Sequence, residues 1–357
     1  KVTFNGESVD ISKYTNSSPA RYNIYAATGG EIVINSGVFK FNSTNNTRRS
    51  YVCVEDGGKV IINDGTFGKA STRSGYPGIR VFGDNSEVIV YGGTFGFDPT
   101  EWVAAGCTVK KEGANWVVTK GTPATTSAEL KDSIDKMEVG ETVVVAEGNY
   151  GAFPAVTKNV TIYCEEGTVF EGNSKLNIKG ATIIGATFSN PGGTAVDQTI
   201  NGTFKNCTFT GSNGLRWAYA GETCYFENCV FEGSTYGAHF DGGANDVVFK
   251  NCVFSGFNAF GGAITQLTLE GCTFKAGKSA YNGANLWGST SLKNCQFEFD
   301  GTKTEFIDFV GDNKTYIIDN CKHNDVDITE ENHDELGIFI NYGTGNTIKI
   351  NGVDCTK

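Results

Sequence analysis

A short phrase recurs along the chain and constrains its fold more than any other feature. Each copy begins with an apolar strand, continues with Asn or Gly and then a small residue or Cys, and ends in Phe. Successive copies are 28 residues apart in the first part of the chain and 20 to 26 apart in the second part. Representative copies are IVINSGVF (Ile32–Phe39), VIINDGTF (Val60–Phe67), ATIIGATF (Ala181–Phe188), VVFKNCVF (Val247–Phe254) and LTLEGCTF (Leu267–Phe274). A strand-and-turn repeat of this length, without a helical period, predicts a solenoid in which each repeat is one coil.

The pattern inside one repeat predicts a corner at its Asn. In VVFKNCVF, unbroken alternation would place Lys250 on the same side as Cys252, so the strand has to turn at Asn251. Phe249 then points inward on one strand, and Cys252 and Phe254 point inward on the next. Asn suits this corner because it tolerates a left-handed backbone, and stacked carboxamides can hydrogen-bond from coil to coil. We therefore expect three short parallel strands per coil, with coils stacked ~4.8 Å apart.

Composition narrows the class of protein. The 357 residues include 47 Gly and 6 Pro, which suits a protein of strands and tight turns, and no Gly-X-Y period indicates collagen. No apolar run approaches the ~20 residues of a membrane-spanning helix. Residues 1–120 carry a net charge of +2 and the remainder carries −13. The acidic second part disfavours a nucleic-acid partner, because phosphate binding needs clustered Lys and Arg.

The eleven cysteines allow two interpretations. Six occupy the same position in successive repeats: Cys207, Cys229, Cys252, Cys272, Cys295 and Cys321. A disulfide framework is one interpretation, although such frameworks are typical of small chains with clustered spacings. The other is a stack of reduced thiols that act as small interior hydrophobic side chains. The chain length and the even spacing favour the thiol stack.

Three segments follow from the pattern. Residues 1–97 contain the long coils of a first β-helical segment, and residues 98–123 interrupt the period as a connector or hairpin. Residues 124–357 form the main solenoid, and TSAELKDSIDKM (Thr126–Met137) at its start has apolar residues at helical spacing. We expect a short amphipathic helix here, which Thr126 or Ser127 caps and which covers the apolar end of the stack.

These features resemble the right-handed parallel β-helices of the pectin-lyase-like superfamily. The resemblance rests on the Asn–Cys–Thr/Val–Phe phrases, the capping helix and TVVVAEGNYGAF (Thr142–Phe153), and it covers residues 124–357 and part of 1–97. It implies an all-β fold, a right-handed parallel β-helix with a capping helix between two β-helical segments. It implies no single activity, because the superfamily includes pectate lyases, polygalacturonases, phage tailspikes, adhesins and inactive scaffolds. GGTFGFDPTEWVAAGCTVKKEGANWVV (Gly92–Val118) also resembles a repeat-and-linker segment of surface and phage-borne proteins of gut bacteria.

Counting outward from each Phe predicts a ligand-binding face. Trp217 and His239 each lie eight residues beyond a Phe, and Tyr219 and Asp241 each lie ten beyond, so the four should form a patch on the outer surface. The expected ligand-binding residues are Trp217, Tyr219, His239, Asp241, Tyr281 and Trp287, with Arg216 nearby. Flat apolar rings beside polar groups are what a sugar requires. Ordinary packing of turn aromatics is the alternative that the sequence leaves open.

Catalysis is a second hypothesis for the same face. Asp241, His239 and Arg216 are the candidate catalytic residues, as a carboxylic acid, an oriented base and the base of a lyase. Glycoside hydrolysis needs two carboxyl groups, ~5–5.5 Å apart for retention or ~6.5–9.5 Å apart for inversion. No second acidic residue occupies an aligned position beside Asp241. The sequence therefore favours a protein without catalysis and leaves a lyase or hydrolase as the alternative.

No cofactor or metal site is predicted. The acidic loop DVDITEENHDE (Asp325–Glu335) is the one calcium hypothesis, but it lacks the Gly and the ligand order of an EF-hand. No Gly-rich nucleotide fingerprint follows a strand and opens a helix.

The sequence thus predicts a β-helix that recognises a glycan, or serves as a scaffold, in a phage tail appendage or a bacterial cell-surface protein. The alternative is a polysaccharide lyase or glycoside hydrolase of the same fold. The expected partner is a polysaccharide or cell-surface glycan, the expected location is extracellular, at the cell surface or on a virion, and the tailspike resemblance implies a homotrimer. Because the chain begins at Lys1 and its one methionine is Met137, we expect a processed product or a fragment.

Overall fold

The computed structural model describes residues 1–11, 20–41, 48–83, 85–104, 106–172, 178–194, 200–216, 224–256, 258–276, 282–299, 306–336 and 339–356. The chain divides into two compact units, Lys1–Thr122 (unit 1) and Pro123–Lys357 (unit 2). In the described parts of both units nearly all regular structure is β-strand in long parallel sheets. The prediction of an all-β parallel solenoid is therefore confirmed.

The described part of unit 1 consists of short strands and one turn of 3-10 helix, Thr100–Trp102. Its strands are β1 (Val2–Asp10), β2 (Arg21–Ala26), β3 (Glu31–Lys40), β4 (Arg49–Val54), β5 (Lys59–Ile62), β6 (Thr66–Lys69), β7 (Ile79–Val81), β8 (Glu87–Val90), β9 (Gly93–Gly96), β10 (Cys107–Glu112) and β11 (Asn115–Lys120).

Strand pairing in unit 1 follows the 28-residue repeat. Strands β3, β5 and β8 pair in parallel, so that Ile32, Val60 and Val88 are neighbours, and β2, β4 and β7 form a separate parallel sheet. Residues 98–123 break this pattern, because β10 and β11 form an antiparallel hairpin whose second strand pairs with β9. The segment expected to be a connector or hairpin contains a hairpin that extends the sheet of unit 1.

Unit 2 begins with helix α1 (Ser127–Lys136) and also contains the short helix α2 (His333–Leu336). Its strands are β12 (Thr142–Val145), β13 (Gly148–Asn149), β14 (Thr161–Cys164), β15 (Thr168–Glu171), β16 (Ile178–Ile184), β17 (Thr187–Thr194), β18 (Ile200–Lys205), β19 (Thr208–Arg216), β20 (Cys224–Glu227), β21 (Val230–Lys250), β22 (Val253–Gly256), β23 (Asn258–Glu270), β24 (Thr273–Ala276), β25 (Asn282–Leu286), β26 (Ser289–Lys293), β27 (Gln296–Phe299), β28 (Ile307–Phe309), β29 (Thr315–Asp319), β30 (Lys322–His323), β31 (Val326–Asp327), β32 (Phe339–Asn341), β33 (Thr347–Ile350) and β34 (Val353–Asp354).

The parallel ladders that the structure describes in unit 2 fall on three faces of the coil. The first face runs from β12 through β14, β16, β18 and β20 to β26, β29 and β33. The second face runs from β13 through β15, β17, β22 and β24 to β27 and β30. The third face contains the end of β19, the middle of β21 and the start of β23, followed by β25, β28 and β32. The other parts of these three long strands complete the ladders of the first and second faces.

The corner predicted at the repeated Asn is present and has a left-handed backbone. The corner residues are Asn206, Asn228, Asn251, Asn294 and Asn320, with φ of 49° to 54°, and Gly271, with φ of 63°. This conformation is costly for most side chains and is tolerated by Asn and Gly. The Nδ2 of Asn320 also donates to the Oδ1 of Asn294 at 2.7 Å, which joins two coils through their corners.

The interior of each unit is a stack of aromatic rings. On the second face of unit 2, Phe209, Phe231, Phe254, Phe274 and Phe297 are fully buried, and successive ring centroids are 4.8 to 5.1 Å apart. In unit 1, the near-parallel rings of the Phe-ended phrases lie 4.7 and 4.9 Å apart. The recurring Phe of the sequence is therefore the side chain through which each coil packs on the next.

The structure decides between the two interpretations of the cysteines. All eleven lie in described parts of the chain and are free thiols, and all except Cys355 are buried. The peptide N–H of Val253 donates to the carbonyl of Cys229 at 2.9 Å, and that of Thr273 to the carbonyl of Cys252 at 2.8 Å, so equivalent cysteines lie in adjacent coils. Burial raises the pKa of the Cys164 and Cys224 thiols to about 12.

The predicted helix covers the first coil of unit 2. The hydroxyl of Thr126 accepts a hydrogen bond from the backbone N–H of Glu129 at 3.2 Å, which is the expected N-cap. Leu130 and Ile134 are buried and belong to the same apolar cluster as Val143 of β12. The helix therefore shields the open end of the stack, as the sequence indicates.

Charge alternates from coil to coil along one column of the first face of unit 2. The register of the paired strands places these residues side by side in the order Lys205, Glu227, Lys250, Glu270, Lys293 and Asp319. The Nζ of Lys205 lies 2.8 Å from the carboxylate of Glu227. Unit 1 has an equivalent column, Lys1, Glu31, Lys59 and Glu87, with ion pairs of 2.9 and 2.5 Å at its two ends. Each exposed pair contributes little stability by itself.

Replacing Asn228 tests the corner. We expect Asn228→Gly to leave stability within about 0.5 kcal/mol of the parent, and Asn228→Ala to cost about 1 kcal/mol, because only the alanine strains a left-handed backbone. Urea unfolding measures both. Equal stability of the two variants would contradict this account of the corner.

The half-buried imidazole of His323 should make the stability of the protein depend on pH. His323 pairs with Phe297 at the Phe position of its repeat, and its half-buried ring has an Nε2 atom with no hydrogen-bond partner among the described residues. Burial lowers its pKa in the folded state, so as pH falls below about 6.5 the unfolded chain takes up the proton first and stability is lost.

We expect His323→Phe to remove this loss. The stability difference between the variant and the parent should grow in favour of the variant, by at most about 1.4 kcal/mol per pH unit, as pH falls from 7 towards 5. Denaturant unfolding at several pH values measures it. A difference that stays constant with pH would show that His323 is not the responsible group.

Thiol labelling tests the burial of the cysteines. In the native protein a soluble alkylating reagent should modify Cys355 alone, since the other ten thiols are buried, and all eleven should react in denaturant. Mass spectrometry counts the adducts, and Cys355→Ser is the control that should leave none in the native state. Rapid modification of several native thiols would refute the buried arrangement.

Candidate functional site

The third face of unit 2 carries a column of polar positions. Strand pairing places the following residues side by side from coil to coil: Arg216, His239, Gly261, Asn285, Asp308 and Ile340. The preceding residues of the same strands, among them Leu215, Ala238, Ala284 and Ile307, are fully buried. Because successive side chains of a strand point to opposite sides, the column lies on the outer side of this face.

His239 lies near the start of the column, in the coil after Arg216. Its ring lies 4.6 Å from the ring of Tyr236, at 47°, and the imidazole is half-buried. Tyr236 is in register with Asn213, whose side chain is buried. The histidine is therefore held by aromatic packing and presents a polar ring at the surface.

Asn285 and Asp308 lie on adjacent coils farther along the column. Asp308 is only 4% exposed, although its position on the strand points outward. The Oδ1 of Asn285 is buried, and no donor among the described residues reaches it. A buried acceptor without a donor costs about 1–3 kcal/mol, so this atom is ready to accept a hydrogen bond from a ligand.

Two exposed aromatic side chains adjoin the column. Trp287 is 48% exposed and lies two residues after Asn285, and Tyr342 is 60% exposed and lies two residues after Ile340. The backbone N–H of Val310 donates to Leu286 and that of Tyr342 to Phe309, both at 2.8 Å, so the two aromatic positions are two coils apart. At about 4.8 Å per coil they are separated by about 10 Å. They provide apolar ring faces beside the polar column.

The structure brings together some of the predicted residues. His239 and Trp287 are both on the third face, and Arg216 is the register neighbour of His239. The side chains of Arg216 and Asp241 lie outside the described part of the chain, as do the residues Trp217, Tyr219 and Tyr281.

One expectation about this face is corrected. Counting from Phe placed Trp217 beside His239, whereas the register places Arg216 there. The reason is a register shift between Gly211 and Asn213, where strand β21 contains one more residue than β19. Counting from a fixed point loses the register at such an irregularity.

Sequence reasoning missed Asn285, Asp308 and Tyr342. A signal was available for Asp308, because the polar residue lies between the apolar Ile307 and Phe309, and this alternation marks an outward position on a buried strand. No Phe-ended phrase marks this face, and its strands could not be aligned without the register.

Among the described side chains, this column contains no pair of carboxylates like that of a glycosidase. Asp308 is its one acidic side chain in the described part, and three coil steps, about 14 Å, separate it from His239. Across the described residues no group of three or more His, Cys, Asp or Glu side chains could hold a metal ion. In the acidic loop 325–335, Asp327 pairs with Lys322 at 3.1 Å.

The comparison with protein families agrees with the fold. Residues 142–300 match the family of right-handed β-helix regions. This match agrees with the right-handed parallel β-helix that the sequence resemblance predicts. The structure is similar to that of ORF18 of Geobacillus virus E2, with a TM-score of 0.40 and 11% identity over 72% of this chain and 70% of that one. No curated protein matches the chain. None of the helices in the described ranges has the length and apolar character needed to cross a membrane.

Proposed function

We propose that unit 2 binds a glycan on its third face without catalysing its cleavage, and that the β-helix is the rigid scaffold that presents this face. The observation that carries the proposal is the buried Oδ1 of Asn285, which lacks a donor among the described residues, beside the half-exposed ring of Trp287. A sugar supplies both missing partners, a hydroxyl donor for the amide oxygen and a C–H face for the indole.

The charge of the chain favours a neutral glycan at this face. Residues 121–357 carry a net charge of −13, so a polyanionic chain would be repelled over the whole length of unit 2. The described aromatic positions lie about 10 Å apart along the coil axis, which suits an extended oligosaccharide better than a single sugar ring. The scaffold proposed is that of a phage tail appendage or a bacterial surface protein, and a homotrimer in sedimentation experiments would support the tail assignment.

A polysaccharide lyase or glycoside hydrolase is the alternative function. The observation in its favour is the register of Arg216 with His239, which places two basic residues side by side on the face. Release of reducing ends or unsaturated sugars from polysaccharides, lost in His239→Ala, would establish catalysis and refute the binding-only function.

Trp287→Ala tests glycan binding. On an array of neutral bacterial and plant glycans, we expect the parent chain to bind and this variant to lose about fivefold or more in affinity, because a stacked ring contributes about 1 kcal/mol or more. Val326→Ala, a replacement of a similarly exposed side chain in the acidic loop, is the matched control and should bind like the parent.

Asn285→Ala separates binding from folding. Removing a buried acceptor that has no donor should leave stability unchanged or higher, whereas glycan affinity should fall. Loss of stability with unchanged affinity would show that Asn285 is structural, and absence of any glycan binding by the parent would leave a purely structural spacer.

A further inference from the structure

Unit 1 carries an aromatic and cationic patch that the repeat pattern does not explain. The patch consists of Tyr22, Tyr25, Tyr76, Arg80 and Phe82. Its base is the sheet of β2, β4 and β7, whose register places Tyr25 and Arg80 on either side of Cys53. The alternate residues Ile24, Val52 and Ile79 are buried in the interior of unit 1, so the register positions of Tyr25 and Arg80 lie on the outer side of the sheet.

Arg80 is held in place at the centre of this patch. Its guanidinium carbon lies 4.7 Å from the ring centroid of Tyr76 and 4.3 Å from that of Phe82, and its Nη1 donates to the hydroxyl of Tyr22 at 3.2 Å. A guanidinium has five N–H donors in a fixed fork. Within the described ranges of the chain, Arg80 forms no ion pair with a carboxylate, so most of the fork is available to an anion.

Exposed aromatic surface adjoins this fork. Tyr25 is 50% exposed and Phe82 is 37% exposed. The rings of Tyr22 and Tyr25 are stacked, with centroids 5.9 Å apart and planes within 22° of each other, so Tyr22 packs against the exposed ring of Tyr25. The neighbouring Glu55 carboxylate raises the pKa of the Tyr25 hydroxyl, so this tyrosine stays uncharged at neutral pH.

We propose that this patch is a binding site for an anionic saccharide, a sugar ring that carries a carboxylate. The carboxylate pairs with the fork of Arg80, and the C–H face of the ring packs on the exposed ring of Tyr25. The contacts of Arg80 with Tyr76, Phe82 and Tyr22 restrict the cation before the ligand arrives, so little side-chain entropy is lost on binding. The site lies in unit 1, outside residues 142–300, and does not depend on glycan binding by unit 2.

The test compares charged and neutral monosaccharides on the whole chain. Saturation-transfer NMR and calorimetry should show glucuronate or N-acetylneuraminate binding at least tenfold more tightly than glucose, and the tighter of the two acids identifies the sugar. Arg80→Gln should reduce binding of the acid to the level of glucose, and Arg80→Lys should restore it only in part, because a lysine cannot make the bidentate contact. Higher salt should weaken binding of the acid and leave that of glucose unchanged.

Two further variants test the site if Arg80→Gln does not fold. Tyr25→Ala replaces a half-exposed side chain and should weaken binding of the acid several-fold while thermal unfolding stays unchanged. Tyr91→Ala, a tyrosine about as exposed as Phe82 at the end of β8, should bind like the parent. Equal binding of glucuronate, N-acetylneuraminate and glucose, or undiminished binding by folded Arg80→Gln, would overturn the proposal, and its failure would leave the Trp287 experiment unaffected.

Discussion

Hydrogen bonding between coils is the constraint on which the rest of this structure depends. A short parallel strand finds no partner within its own coil, so its N–H and C=O groups are satisfied only where the next coil follows the same path. Each corner therefore has to occupy the same position in successive coils. This is why the left-handed residue recurs from Asn206 to Asn320, with Gly271 in place of Asn in one coil. Interior residues stack for the same reason, and ring centroids 4.8 to 5.1 Å apart reflect the spacing of the strands themselves.

Much of the fold could be predicted because its signals are local. The corner at Asn251 follows from five or six consecutive residues, and the helix from its cap at Thr126 and the spacing of Leu130 and Ile134. The structure of residues 98–123 was harder to predict. The hairpin β10–β11 is recognisable in sequence, but its pairing with β9 depends on tertiary contacts. The free state of the thiols followed from equal spacing along a long chain, which favours stacking over cross-linking.

The candidate site could be predicted only in part, because it depends on register across a face that no phrase marks. His239 and Trp287 were found as polar and aromatic residues beyond a Phe, but one additional residue in β21 moved Arg216 into the place expected of Trp217. Asn285 is informative for a different reason. An unpaired acceptor is a property of its surroundings, and composition or spacing cannot reveal it. The fold therefore does not determine the function, because the coils fix only the positions of the outward side chains, and the identities of those side chains decide what is bound.

The alternating charges on the first face limit how such a solenoid can change length. Lys205, Glu227 and Lys250 occupy successive coils, so deleting or duplicating a single coil would bring two lysines or two carboxylates together, whereas a change of two coils would preserve the alternation. Each repulsive contact is weak, but it would add to the loss of a matched pair. The alternation of charge along this column is therefore kept only when the number of coils changes by an even number.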